Sequence, residues 1–138
     1  MVDQTSTIRA RQAIYTDLDF RFILNPNTGD LALKKDAESI KQSIMNILLT
    51  SRGERPFAPE FGGNLRAYLF ENFDAATEAA IENVITNSLR NYEPRVKVDN
   101  VNVSDLSYRN ALSISIDFTI LSPEERQDVV EFVVERIR

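Results

Sequence analysis

The segment that most constrains the fold of this chain is residues 54–65, in which two prolines, two glycines and two aromatic residues lie close together. It reads Glu-Arg-Pro-Phe-Ala-Pro-Glu-Phe-Gly-Gly-Asn-Leu. A proline lacks an amide donor and biases the residue before it away from helix. Pro56 and Pro59 therefore predict a loop of fixed path between two helices. Gly62 and Gly63 predict a tight backbone bend at its end, without the lysine and hydroxyl residue that a phosphate-binding loop requires.

The side chains of this loop allow two interpretations. In the structural one, Phe57 and Phe61 plug the core, while Arg55 and Glu60 pair with each other or with main chain. In the functional one, the rigid loop is a contact surface, because a preordered loop loses little conformational entropy when a partner docks. We favour the structural role and keep Arg55 and Glu60 as candidate partner-binding residues.

Before this loop, apolar residues alternate with polar ones on both sides of a turn segment, which predicts a β-hairpin. Residues 25–30 form the turn, with Gly29 at the position where a positive φ is least unfavourable. Residues 1–15 are expected to be an extended arm. The alternating apolar residues are Leu18, Phe20, Phe22, Leu24, Leu31 and Leu33.

Apolar residues at helical spacing predict about three helices. The first follows Asp36 as N-cap and ends near Thr50, and a short one covers about residues 64–70. The third follows Asp74 as N-cap and stops near Tyr92, because the proline at position 94 disfavours helix at the residue before it. The apolar positions are Ile40, Ile44, Ile47 and Leu48, then Leu65, Leu69 and Phe70, then Ile81, Val84, Ile85 and Leu89.

Alternation of apolar and polar residues returns after position 95 and is clearest from Leu112 to Ile120. Val96 and Val98 have the opposite parity from the valines at 101 and 103. All four can face one core only if the strand has a bulge or bend near residues 99–100. A turn is expected around residues 108–110.

The final segment fits two structures. Residues 122–125 resemble a helix start with a capping box, and the later valines with Ile137 fit a helical stripe. The same valines fit a strand, which we favour from about Val129 because β-branched residues are enriched in strands. The chain is thus predicted to be one α+β domain over residues 1–138, with an N-terminal β-hairpin, about three helices and a C-terminal antiparallel sheet of two to three strands.

Composition excludes several classes of function. The chain has no cysteine and no histidine, which removes disulfides, thiolate nucleophiles, imidazole bases and most zinc sites. Its net charge of −5 disfavours a nucleic-acid partner. No apolar run approaches the ~20 residues of a membrane span, and the first residues lack a secretory signal. We expect a soluble cytoplasmic product with no cofactor and no membrane partner.

Carboxylates are the abundant acid or base candidates among the 138 residues. A glycosidase needs two of them about 5 to 9 Å apart across a cleft, and Glu54, Glu60, Glu71 and Glu93 are possible members. With 21 acidic residues some pair always looks suggestive, and the chain has no tryptophan to mark a sugar-binding cleft. The prediction is that the protein is not an enzyme.

Several segments in a fixed order also carry a family resemblance. These are residues 25–31, residues 40–53, the 54–65 loop and the tripeptide Glu93-Pro94-Arg95. Together they resemble the small baseplate wedge and sheath-initiator proteins of contractile phage tails, a family shared with the baseplate subunit of type VI secretion systems and sometimes labelled lysozyme-like. The resemblance implies a structural protein of the virion tail baseplate, assembled in the host cytoplasm, with about six copies set by the symmetry of the assembly.

The resemblance also implies partners for two parts of the chain. It places Glu93, Pro94 and Arg95, with Tyr92 beside them, on the motif that attaches the family to the helical core bundle of the wedge. The alternative is that Arg95 simply pairs with Glu93 at the helix end. It further implies that the C-terminal strand accepts an extended arm from the sheath subunit of the first ring, with possible tube or hub contacts. The sheath-contact residues would be Val130, Phe132, Val133 and Val134.

Two other classes of function stay open from the sequence. One is a cell-wall glycosidase of the lysozyme-like kind. The other is a regulatory binding module, because a bacterial anti-adaptor that blocks delivery of a sigma factor to proteolysis shares this fold family. Phage, tailocin and secretion system are not separated by these residues.

Overall fold

The computed structural model describes residues 15–19, 21–31, 33–122 and 125–135. The chain divides into two compact units, Met1–Ser39 and Ile40–Arg138. The predicted arm, apart from Tyr15, lies outside the described residues, as do Phe20 and Ile137. The assignment of residues 1–138 to a single domain stays a prediction.

The first unit contains the predicted hairpin in a shortened form. Strand β1 (Thr16–Leu18) pairs antiparallel with strand β2 (Leu33–Lys35), and Leu24 forms a further bridge with Leu31. Between them, the amide of Asn25 donates to the carbonyl of Asp30 at 2.7 Å. Gly29 has φ +70°, as predicted for the turn.

The alternation expected through Phe22 and Leu24 is not a continuous strand, and this part of the prediction was wrong. Asp19 is 6% exposed and accepts hydrogen bonds from the Arg21 amide at 3.0 Å and from the Arg21 guanidinium at 2.7 Å. The amide of Phe22 donates to the Asp19 carbonyl, and Phe22 has φ +52°. An aspartate that bonds the nearby backbone competes with strand pairing, so the chain turns here and leaves Phe22 and Leu24 exposed.

The three predicted helices are present. They are α1 (Ala37–Leu49), α2 (Leu65–Tyr68) and α3 (Ala75–Tyr92). Asp74 caps α3 as predicted, its carboxylate accepting from the Thr77 amide at 2.8 Å. The predicted apolar stripes are largely buried, but Phe70 is 66% exposed and does not anchor α2. The fully buried apolar residues of α1 and α3 are Ile40, Ile44, Leu48, Ile81, Ile85 and Leu89.

The loop between α1 and α2 follows the path that its glycines allow. Gly62 has φ +114°, and a Cβ there would collide with the carbonyl oxygen of Thr50. The amide of Gly63 donates to the carbonyl of Ile47 at 3.1 Å. The tight bend is therefore confirmed. The expectation that Phe57 plugs the core was wrong, because its side chain is fully exposed.

The second unit is completed by a three-stranded antiparallel sheet in the order β3 (Val96–Leu106), β4 (Ala111–Ile120) and β5 (Arg126–Glu135). The register of β3 shifts between Val98 and Asn100, which confirms the predicted bulge. The expected turn contains a short 3-10 helix, Ser107–Arg109. The final segment is a strand that starts three residues before the predicted Val129, and the helical alternative was wrong.

The apolar core of the second unit lies on one face of this sheet. Helix α3 packs on β3, and α1 is tied to β5 by an ion pair between Lys41 and Asp128 at 2.7 Å. Within the residues described here, none of the helices is long and apolar enough to cross a membrane. The buried sheet residues are Val96, Val101, Val103, Leu112, Ile114, Ile116, Phe118, Ile120, Val130, Phe132 and Val134.

Candidate functional site

The end of α3 and the start of β3 form what we call the corner, residues 92–95. Glu93 is the C-cap of α3, and its amide donates to the carbonyl of Leu89 at 2.8 Å. The Glu93 carboxylate then turns inward and is 2% exposed. Arg95 holds it with two hydrogen bonds, from Nε to Oε1 at 2.5 Å and from Nη2 to Oε2 at 2.6 Å. Pro94 lies between them and is exposed.

The two hydrogen bonds from Arg95, which we call the fork, help to keep the Glu93 carboxylate ionised. Burial acts to raise the pKa of Glu93, but the hydrogen bonds from Arg95 and Ser43 and the charge of Arg95 outweigh burial, so the pKa is lowered from its ordinary value of 4.5. Two parallel hydrogen bonds also fix the plane of the guanidinium group. The Arg95 side chain stays 30% exposed, in an orientation that Glu93 sets.

The corner is joined to the loop between α1 and α2 by aromatic contacts. The Tyr92 hydroxyl donates to the carbonyl oxygen of Glu60 at 2.9 Å. The ring centroids of Tyr92 and Phe61 are 4.8 Å apart, with planes at 55°. The guanidinium carbon of Arg55 lies 3.9 Å from the Phe61 ring centroid, which is a cation–π contact. The structure therefore brings Arg55, Glu60 and Tyr92 together around Phe61.

The sequence analysis expected Arg55 to pair with Glu60 or with main chain, and the structure shows a different partner. The interaction that the structure shows for Arg55 is with the Phe61 ring, whereas Glu60 contributes its backbone carbonyl to Tyr92. Phe61 is only partly buried, so it links the loop to α3 instead of filling the core. A shallow depression of about 230 Å³ lies beside this contact, lined by residues that include Arg52, Glu60 and Tyr92.

The predicted sheath-contact residues all lie on β5. Val130, Phe132 and Val134 are at most 8% exposed, because they face the core, while Val133 is 45% exposed on the other face. β5 pairs with β4 through ten residue pairs without a register shift. In the part of the chain that the structure describes, no strand pairs with the other side of β5. We call this unpaired side the β5 edge.

Ser43 contacts the corner but was not predicted from the sequence. Its side chain hydrogen-bonds Glu93 and so contributes to the corner from α1. A usable signal was present, since Ser43 lies three residues after Ile40 and four before Ile47, among the apolar positions of the helix. A polar residue at such spacing needs a buried partner.

The acidic residues outside the corner include Glu54, which was considered as a glycosidase carboxylate. The Glu54 carboxylate accepts from the Ser51 amide at 2.8 Å and so serves the loop. Among the described residues, no group of three or more acidic side chains is arranged to hold a metal ion.

Comparison with known sequences identifies relatives over most of the chain. A family model described as Baseplate wedge protein gp25 matches residues 34–125. Baseplate wedge protein gp25 of Enterobacteria phage T4 is 34% identical over 117 residues, which are 84% of this chain and 88% of that protein.

Solved structures show the same fold. A Geobacter sulfurreducens protein described as a tail lysozyme is 30% identical with a TM-score of 0.62, covering 76% of this chain and 96% of its own. A chain of the anti-feeding prophage baseplate is 24% identical with a TM-score of 0.60, covering 86% of this chain and 84% of its own. A chain of the post-contraction pyocin R2 baseplate is 22% identical with a TM-score of 0.55, covering 88% and 99%.

Proposed function

This chain belongs to the baseplate wedge protein gp25 family, and on that premise we propose that it joins two different proteins in the baseplate of a contractile injection machine. The corner attaches it to the helical core bundle of the wedge. The β5 edge accepts an extended arm of the sheath subunit and so templates the first sheath ring. The observation that carries the proposal is that the chain has both a side-chain site at residues 92–95 and a strand at residues 126–135 whose outer edge is paired by no described strand.

The geometry of the corner supports a contact role for Arg95 in particular. Glu93 is almost fully buried, so it acts by holding Arg95 and not by touching a partner itself. A guanidinium fixed in one plane is suited to bidentate recognition of carboxylates or carbonyls. Tyr92 and Arg55 extend the same surface through Phe61.

The two outer strands of the sheet support the choice of β5 for strand addition. β3 carries a bulge at Asp99, whose carboxylate accepts from the Thr119 hydroxyl at 2.6 Å. A bulge twists an edge and discourages further pairing. β5 has an unbroken register over its whole length. A regular, unpaired edge is the kind that accepts a strand from another chain.

The protein is proposed to be non-enzymatic, although one relative is described as a tail lysozyme. A glycosidase acid needs a carboxyl group with a raised pKa. The pKa of Glu93 is instead lowered, and Arg95 hydrogen-bonds both carboxylate oxygens. Glu54 serves its own loop. Both carboxylates therefore accept hydrogen bonds that stabilise the fold.

Further parts of the proposal follow from the family. The protein lies in the tail baseplate, which is assembled in the host cytoplasm. It is present in about six copies, by analogy with the sixfold symmetry of the anti-feeding prophage baseplate. It needs no cofactor. Contacts with tube or hub proteins are secondary to the two described above.

Substitution of Arg95 tests the corner. Truncating a charge at an interface typically costs about 2 to 5 kcal/mol, so Arg95→Ala is expected to be nearly absent from purified baseplates when their content is measured by quantitative mass spectrometry. That variant also leaves Glu93 buried without its fork. The double variant Glu93→Gln/Arg95→Ala removes this complication, because no carboxylate charge then remains at position 93.

Both variants should be excluded from wedges, and Glu93→Gln alone should be incorporated better than either. If the double variant is folded by circular dichroism and enters baseplates at the wild-type level, the corner is only a structural device and the proposed attachment is wrong.

A further inference from the structure

A groove lies beside the corner, between α3 and the start of β3. Its volume is about 440 Å³, and its apolar lining includes Pro94, Val98 and Leu121. Leu121 is 46% exposed. The amide of Leu121 donates to the carbonyl of Arg95 at 2.8 Å, so the corner itself holds Leu121 at the groove. An apolar surface is therefore open to solvent next to the residues that are proposed to bind the wedge.

The two charged residues that line this groove are both positive. Arg90 lies in the last turn of α3, and Lys97 lies on the outer strand β3. Within the described part of the chain, neither residue forms an ion pair. Of the described residues that line the groove, none is acidic. By charge complementarity, the groove fits a partner segment that is both apolar and acidic.

Each cation alone has a structural explanation. A cation near the C-terminus of a helix is stabilised by the helix dipole, which applies to Arg90. A lysine on an outer strand discourages pairing with another strand, which applies to Lys97. Neither effect requires an apolar groove between the two residues. Nucleic acid is a poor alternative partner, because the chain as a whole has a net charge of −5.

We propose that the wedge segment bound at the corner is an acidic amphipathic helix, which places an apolar side chain in the groove and carboxylates against Arg90 and Lys97. Side chains three or four residues apart lie on one face of a helix, so one helix can present both groups. Docking of an amphipathic helix in an apolar groove is a common mode of recognition. The inference rests on the proposed function, because it specifies the chemistry of the partner proposed for the corner.

Carbodiimide cross-linking of purified intact baseplates, read by mass spectrometry, tests the ion pairs. The reagent joins a lysine amine to a carboxylate that contacts it. We expect Lys97 to be joined to an Asp or Glu of a wedge protein, with an apolar residue three or four positions away. The ion pair between Lys41 and Asp128, at 2.7 Å, is the internal control and should give an intrachain link in the same sample.

Recovery of the internal link without a link from Lys97 to a wedge protein would overturn the inference. A link from Lys97 to the sheath subunit, or to a second copy of this chain, would overturn it as well, because the groove would then belong to a different interface.

Competition during assembly measures how much the groove contributes to binding. Wild type and one variant are expressed together in cells that assemble tails, and their ratio in purified baseplates is compared with their ratio in the cell. We expect Leu121→Ser and Arg90→Gln each to be under-represented about tenfold, which corresponds to about 1.4 kcal/mol. The matched control is Arg66→Gln, which removes an exposed arginine of α2 outside the groove and should compete equally with wild type.

The melting temperature, measured by circular dichroism, shows whether each variant is folded. Incorporation of both folded groove variants at the wild-type level would overturn the inference. If Arg95→Ala is excluded from baseplates while the groove variants enter normally, the proposed role of the corner stands and this inference alone fails. Absence of the wild-type protein from baseplates would instead overturn the proposed function itself.

Discussion

The corner and the β5 edge are built from different parts of the chain, and this difference sets how each responds to mutation. The corner depends on side chains, since Glu93, Arg95 and Ser43 hold one another in place. The β5 edge depends on main chain, because three of its four predicted contact side chains face the core. A single side-chain truncation can therefore disable the corner, whereas the edge should tolerate most substitutions.

Substitution of Val133 by proline should have the largest effect, and the quantity affected is sheath assembly at the β5 edge. It removes an amide from β5 and is sterically unsuited to a paired strand. We expect Val133→Pro particles to contain this protein and a tube but no extended sheath, as seen by negative-stain electron microscopy. Val133→Thr, which keeps the amide and the β-branched shape, should assemble nearly normal sheath.

Normal sheath on Val133→Pro particles would contradict this difference between the corner and the β5 edge, provided that the variant is folded and present in the baseplate. The edge would then not act through its main chain.

Removal of Glu93 should have the next largest effect, this time on stability. Deleting one partner of a fully buried ion pair typically costs about 3 to 5 kcal/mol, but the Arg95 side chain that would remain is 30% exposed. We therefore expect Glu93→Ala to lower the free energy of unfolding by about 2 kcal/mol in urea denaturation, below the range for a fully buried pair. A loss below about 1 kcal/mol, the range of an exposed ion pair, would show that the fork contributes little to the fold.

The pH dependence of stability tests the same contribution of Glu93 to the fold. Because the folded pKa of Glu93 is lowered, the unfolded chain binds more protons between the folded pKa and the ordinary value of 4.5. The contribution of Glu93 is fully present above pH 4.5 and is lost as the pH falls through the folded pKa. The stability difference between wild type and Glu93→Gln should shrink over that range. A difference that stays constant below pH 4.5 would contradict the assignment.

Tyr92→Phe should have the smallest effect. It removes the hydrogen bond to the Glu60 carbonyl but keeps the ring contact with Phe61. One such bond contributes about 1 kcal/mol, and less at an exposed site. We expect a small loss of stability and faster amide hydrogen exchange in residues 53–61, with little change in baseplate content. Unchanged exchange in that loop would mean that Tyr92 does not brace it.

Periodicity predicted the second unit well, because burial on one face of a strand or helix constrains which residues can occupy it. The opposed parity of Val98 and Val101 predicted the bulge for this reason. The β-branched residues after Arg126 likewise favoured a strand over a helix.

The sequence was less informative where position depends on the path of the whole chain. Phe57 and Phe61 are both loop aromatics, and nothing local shows that one is fully exposed and the other braces α3. Asp19 is buried and accepts hydrogen bonds from Arg21, and this interrupts a strand that alternation alone predicts. Glu93 and Arg95 were predicted as a site, but the hydrogen bond between Glu93 and Ser43 of α1 joins residues far apart in the chain and was not predicted.

Site-specific photo-cross-linking in intact particles can show whether the corner and the β5 edge bind two different proteins. A benzoylphenylalanine at exposed Asn91, beside the corner, is compared with one at Val133 on β5. We expect position 91 to link to a wedge protein of the core bundle and position 133 to link to the sheath subunit. Links from both positions to the same protein, or no link from position 133 to sheath, would show that the proposed function is wrong.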